Sequence, residues 1–99
     1  MVNAVIMNQK DTVVTVTKYI SVNEDVEYKL NKEIYKIKTF SNIPMNHKIA
    51  IKDIKKGEAI LKYGEIIGYA TDNINLGDYV HTHNLSSNKI ILTEVLDEI

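Results

Sequence analysis

None of the 99 residues is cysteine, which excludes both a disulfide framework and thiolate chemistry. Arginine is absent too, so all 12 basic side chains are lysine. A bound anion would therefore meet point charges and backbone amides, never a bidentate guanidinium. No apolar run reaches the length of a membrane span. Met1–Met7 is too short and too uncharged at its start for a signal peptide, so a cytoplasmic protein away from the membrane is expected. The formal net charge of −1 argues against a general nucleic-acid binder. There is no phosphate-binding glycine loop, no aromatic–basic interleaving and no Ser/His/Asp ordering that suggests a nucleophile.

What is present is unevenly placed. A length of 99 residues leaves room for one core, so residues 1–99 are expected to form a single domain. The only proline, all four glycines and all three histidines fall between Ile43 and Asn84. Charge is segregated as well. Residues 43–64 carry Lys48, Lys52, Lys55, Lys56 and Lys62 against Asp53 and Glu58. Residues 65–99 carry only Lys89 against six acids.

The first half reads as strands. Val2–Met7 is short and apolar, and Thr12–Ile20 is rich in the β-branched residues that suit a pleated surface. Val26–Leu30 and Ile34–Phe40 alternate, which predicts one buried face and one wet face, and Asn31–Glu33 between them has hairpin-loop length. In the second half Asp53-Ile54-Lys55-Lys56-Gly57-Glu58 is echoed twenty residues later by Asn73-Ile74-Asn75-Leu76-Gly77-Asp78. Each copy predicts a short helical turn, capped by Asp or Asn, ended by glycine at positive φ and released into a strand. Two copies suggest a pseudo-twofold arrangement. Ile60–Thr71 predicts two strands about a Gly64-Glu65 bend, since two glycines disfavour a helix. Leu85–Asn88 reads as a polar loop and Lys89–Leu96 as a closing strand, with a short helix as the alternative.

The candidate chemistry lies in the same segment. His81-Thr82-His83 on a strand would put both imidazoles on one face, about 6.5–7 Å apart along the backbone. That spacing chelates a metal if His47, or less readily Asp72 or Asp78, supplies a third ligand. The same pair could equally bind an anionic or hydroxylated substrate, carry protons near neutral pH, or be two histidines without a joint role. Asn46 tolerates positive φ, so Asn46-His47 reads as a turn that aims His47 and Lys48 outward. Lys62 and Tyr63 could add a cation and a phenol, or be plain strand residues. Asn84 could bond its own backbone in a turn or bind a substrate hydroxyl.

Taken together, Ile43-Pro44-Met45-Asn46-His47-Lys48-Ile49-Ala50-Ile51, Asp53–Glu58, Ile60–Ala70 and His81-Thr82-His83-Asn84 resemble the N-terminal SAF domain of altronate and galactarate dehydratases. The same module occurs as a separate small subunit in sulfolactate sulfo-lyase. The resemblance runs from Asp11-Thr12-Val13-Val14 to Asn84, with Asn46 where the family usually has glycine. It implies an all-β domain of β-clip type and a share in a hydro-lyase or sulfo-lyase acting on a sugar acid or other 2-hydroxy carboxylate. It implies His47, His81 and His83 as catalytic residues, with Lys48, Lys62, Tyr63 and Asn84 binding the substrate. The large catalytic subunit would be separate, and any divalent iron or magnesium would belong to the complete enzyme, with no metal or cofactor held tightly by this chain. The alternative is a stand-alone SAF module that binds a carbohydrate-like ligand or a protein without catalysis. Homo-oligomerisation is left open.

Overall fold

The computed structural model describes residues 1–88. The closing strand expected at Lys89–Leu96 lies outside them. Nine short strands form three antiparallel groups, and no helix occurs among the described residues. β1 (Ala4–Val5), β2 (Val13–Val16), β5 (Lys48–Ala50) and β8 (Tyr79–Val80) make a four-stranded sheet in the order β1-β2-β5-β8. β3 (Asp25–Leu30) and β4 (Glu33–Lys38) make a two-stranded ribbon. β6 (Ala59–Lys62), β7 (Glu65–Ala70) and β9 (Leu85–Ser86) make the third group. Leu85–Ser86, expected as loop, is thus a strand, because it finds the free edge of β7 and pairs with Tyr69 and Ala70.

Both hairpins turn in two residues that adopt positive φ, Asn31-Lys32 (52° and 70°) and Tyr63-Gly64 (60° and 73°). Such turns match the right-handed twist of the flanking strands. The central sheet separates two cores. Side chains alternate along β2, so Val14 and Val16 enter one core and Val13 the other. β5 does the same with Ile49 and Ala50. The first core adds Val26, Tyr28 and Ile37 from the ribbon, and the second adds Ile60 and Ala70 from the third sheet. β4 departs from the expected alternation: Ile37 is buried, but Ile34 and Tyr35 are exposed. Among the described residues the ribbon has no third strand, and Tyr35 instead stacks on its cross-strand partner Tyr28 with ring centroids 5.3 Å apart.

The anticipated echo occurs four times. Ile20–Glu24, Ile43–His47, Ile54–Glu58 and Ile74–Asp78 fold alike. In each, the fifth residue's N–H donates to the second residue's carbonyl: Glu24 to Ser21, His47 to Pro44, Glu58 to Lys55 and Asp78 to Asn75, at 2.9–3.1 Å. The fourth residue is left-handed: Asn23 at 68°, Asn46 at 71°, Gly57 at 90° and Gly77 at 91°. These are β-turns with the positive third φ of type II, not the short helical turns expected. The left-handed residue arrives too early for a helical bond to close.

The turns associate in pairs. Ile20 and Ile43 exchange both backbone hydrogen bonds at 2.8–2.9 Å, and Ile54 and Ile74 do so at 2.7–2.8 Å. All four isoleucines are buried, one pair at the centre of each core. The residues expected to cap their own turns cap the partner's instead. Lys56 N–H donates to Asn73 Oδ1 and Leu76 N–H to Asp53 Oδ1, both at 2.9 Å. Val22 N–H likewise donates to Asn42 Oδ1 at 2.8 Å. This reciprocity is the local twofold suggested by the echo.

One buried carboxylate ties the N-terminal arm to the β6–β7 hairpin. Asp11 accepts from the amides of Met7 (3.2 Å), Asn8 (3.0 Å), Tyr63 (3.1 Å) and Gly64 (2.7 Å). It is 4% exposed. Replacing it with alanine removes the acceptor of four part-buried amide bonds at once. Asp11→Ala should therefore lower unfolding free energy by on the order of 3 kcal/mol, measured by urea titration; a loss below about 1 kcal/mol would show that water replaces the carboxylate without cost.

Candidate active site

The β5–β8 register assembles the site. Lys48 pairs with Val80, so His47 and His81, the next residues outward, come side by side. Their ring centroids are 4.8 Å apart. Tyr79 lies between the histidines. Its ring stacks on His81 at 5.6 Å and 8°, and meets His83 at 5.5 Å and 50°. Its hydroxyl lies 2.5 Å from His47 Nδ1. Three imidazoles thus surround one phenol.

His81–His83 is not the strand expected. Residues 81–84 form a tight turn between β8 and β9. Asn84 builds it: its Oδ1 accepts from His81 N–H (3.0 Å), its Nδ2 donates to Tyr79 O (2.8 Å), and its own N–H donates to His81 O (3.1 Å). Asn84 is 8% exposed, and its amide is engaged by the loop that carries the histidines.

His47 owes its position to proline. In the three other corners the fifth residue is an acid whose carboxylate accepts from the second residue's N–H. Glu24 takes Ser21 (2.9 Å), Glu58 takes Lys55 (2.6 Å) and Asp78 takes Asn75 (2.8 Å). In the fourth corner the second residue is Pro44, which has no N–H to give. The fifth position is released from that duty, and it holds His47, turned toward Tyr79.

The electrostatics are one-sided. Lys48 is half-buried, and burial followed by repulsion from Lys62 pushes its pKa down. Neither lysine forms an ion pair among the described residues. His81 is also pushed down, first by desolvation, then by His47, Lys48 and His83. Among the described residues Lys48 and Lys62 thus carry charge without an ion-pair partner, and His81 favours its neutral, proton-accepting form. Tyr63 sits at the β6–β7 tip, 59% exposed, with Lys62 Nζ 5.3 Å from its ring centroid. It touches Lys62 and joins none of the ring contacts of the histidines. Beside His83 a shallow hollow of about 280 Å³ is lined by Ser41, Asp72, Asn73, Asp78, Tyr79 and Asn84. Among the described residues no three His, Asp or Glu side chains are grouped to hold a metal ion. Asp78, one of the proposed third ligands, is occupied by Asn75 N–H. Tyr79 was missed as a site residue, although positions 79, 81 and 83 share a period of two.

Paired strand corners and a histidine–lysine face on an all-strand frame define a β-clip module of the SAF kind. The family model for the altronate/galactarate dehydratase SAF domain matches residues 2–88, and the chain belongs to that family. It is 34% identical over 55 residues to the (2R)-sulfolactate sulfo-lyase subunit alpha of Paracoccus pantotrophus, covering 56% of this chain and 82% of that one. It is 40% identical over 52 residues to the altronate dehydratase of Bacillus subtilis, covering 52% of this chain and 10% of that one. Against the altronate dehydratase of Escherichia coli it is 45% identical over 47 residues, again 10% of that protein. The chain therefore spans about a tenth of the dehydratases it matches.

Two outcomes test this geometry. The double substitution Pro44→Ser with His47→Glu recreates the acidic corner. The regained hydrogen bond offsets the lost proline rigidity, so stability should stay within about 1 kcal/mol of the parent in thermal melts. For His81, a lowered folded pKa means that the unfolded chain binds more protons in the window below about 6.5. Stability should therefore fall as pH drops from 7.5 through that window, and NMR titration should place His81 below 6.5. His81→Gln should flatten that part of the stability profile; an unchanged slope would remove His81 as its cause.

Proposed function

We propose that the chain is the small subunit of a cytoplasmic hydro-lyase or sulfo-lyase that acts on a sugar acid or another 2-hydroxy carboxylate. The observation that carries this reading is Lys48 beside Lys62, without an ion-pair partner among the described residues and adjoining three histidines around Tyr79. A small carboxylate settling there would relieve the repulsion between the two lysines. Elimination requires a base to take the proton α to the carboxylate and groups that stabilise the enolate-like charge. The histidines offer proton acceptors and donors near neutral pH, and the lysines offer the electrostatic sink. Lys62 brings Tyr63 to the rim, where its hydroxyl could meet a sugar hydroxyl. Asn84 contributes by holding His81 and His83 in place.

A separate large catalytic subunit supplies the rest. The sulfo-lyase relatives are themselves named as alpha subunits, and the chain corresponds to a small part of each dehydratase. A divalent iron or magnesium ion would act as a Lewis acid in the complete enzyme. The donor groups described in this chain do not enclose one, so its ligands would come from the large subunit.

The test is sugar-acid turnover by the purified chain, with and without a co-expressed large subunit and divalent metal. No turnover is expected alone, and turnover is expected with the partner. Within the active complex, His81→Ala and His83→Ala should each lower kcat by about 100-fold while the domain stays folded. Robust turnover by the small chain alone would refute the subunit reading. Failure with every partner would leave a binding module for a carbohydrate-like ligand or a protein.

A further inference from the structure

Tyr79 makes ring contacts with all three histidines, yet its own role is not accounted for by a hydroxylated substrate, by proton carriage or by the fold. Its ring already packs against the first core, and a phenylalanine there would serve packing equally well. The hydroxyl needs a separate reason. Its hydrogen-bond partner is His47 Nδ1, and Nε2 of the same ring has no partner among the described residues. A neutral imidazole has one N–H and one lone pair, and the contact made by one nitrogen decides what the other can do.

The direction of that bond follows from acid strength. A phenol is a stronger acid than a neutral imidazole N–H, so the matched arrangement has the hydroxyl donating to the imidazole lone pair. The reverse arrangement would leave the phenolic hydrogen needing another acceptor, and the described residues offer it none. With Nδ1 accepting, the proton of neutral His47 sits on Nε2.

We propose that Tyr79 is a positioning residue that fixes His47 in the Nε2–H tautomer, making His47 a hydrogen-bond donor to the substrate and leaving proton removal to His81. The assignment of roles rests on the lyase reading above; the tautomer does not. In an elimination, the α C–H bond breaks and its proton passes to the free lone pair of His81. The electron pair enters the carboxylate as enolate-like charge, to which His47 Nε2–H donates without losing its proton. A neutral imidazole used this way polarises an oxygen and does not titrate in the step. The pair then forms the double bond as the β bond to the leaving group breaks. In the dehydration the departing oxygen takes a proton from a general acid of the large subunit on the opposite face and leaves as water; His81 then returns its proton to solvent, and the acid regains one from solvent.

Long-range proton–nitrogen NMR spectra of the 99-residue chain decide the tautomer without any turnover. At pH 7.5 the His47 signals should show a protonated Nε2 and an unprotonated Nδ1. Tyr79→Phe, which keeps the ring and therefore the packing, should shift His47 to a mixture of both tautomers while backbone spectra stay dispersed. A protonated Nδ1 in the parent, or a His47 pattern unchanged by Tyr79→Phe, would overturn the proposal. In the active complex the same variant should lower kcat about tenfold with KM within about twofold, because the lost interaction forms with the developing charge. A parent-like kcat would overturn the donor role. If no partner yields activity, the lyase reading fails and the spectra still settle the tautomer.

Discussion

The mutual backbone bonding of isoleucines at paired corners is the constraint on which the rest depends. Ile20 with Ile43, and Ile54 with Ile74, each trade two amide bonds while filling the middle of a core. Burying such a side chain contributes about 2 kcal/mol. The corners also satisfy backbone groups that would otherwise be stranded beside that apolar centre. Only a left-handed fourth residue lets the chain leave the bridge and enter the next strand. The strands are short, several of them two residues, and could not hold themselves together. Corners and strands are therefore mutually dependent, and the β5–β8 register that brings His47 to His81 is inherited from them.

Much of this was legible in the residues. Alternation in Val26–Leu30, β-branched density in Thr12–Ile20 and glycine in Ile60–Thr71 all indicated strands, and strands occupy part of each segment. The echo between Asp53–Glu58 and Asn73–Asp78 was visible because glycine marks both. Its two other copies were not, because Asn23 and Asn46 take the left-handed place without glycine. The capping residues are legible by type but not by the turn they cap, since sequence proximity carries no information about a partner twenty residues away. His47, His81 and His83 were marked individually, and Lys48 beside them. Tyr79 was hidden by its other identity as the strand residue following an echoed glycine turn. Asp11 was hidden because its four donors lie in two segments more than fifty residues apart in the extreme.

The site differs from the frame in its charge economy. At three corners an acid accepts from a backbone amide, and one of them, Glu24, also pairs with Lys18, while Lys38 pairs with Asp25. Around Tyr79 the pattern reverses. Lysine and histidine gather with no ion-pair partner among the described residues, and both Lys48 and His81 are pushed toward their neutral forms. A fold optimising only its own stability would place an acid here. Among the described residues the module instead leaves that positive field without an ion-pair partner.

The proline corner has a consequence for how such a domain can change. Four equivalent positions exist where a side chain emerges immediately after a left-handed residue, and in three of them the backbone claims that side chain for itself. Removing one N–H ends the claim. Proline at a corner's second residue thus works as a release, separating the identity of the fifth residue from the integrity of the turn. The scaffold carries spare outlets of the same shape, closed by nothing more than one amide hydrogen each. A fifth-position side chain at any corner could be freed in this way by a single proline, while the bridges beneath remain untouched.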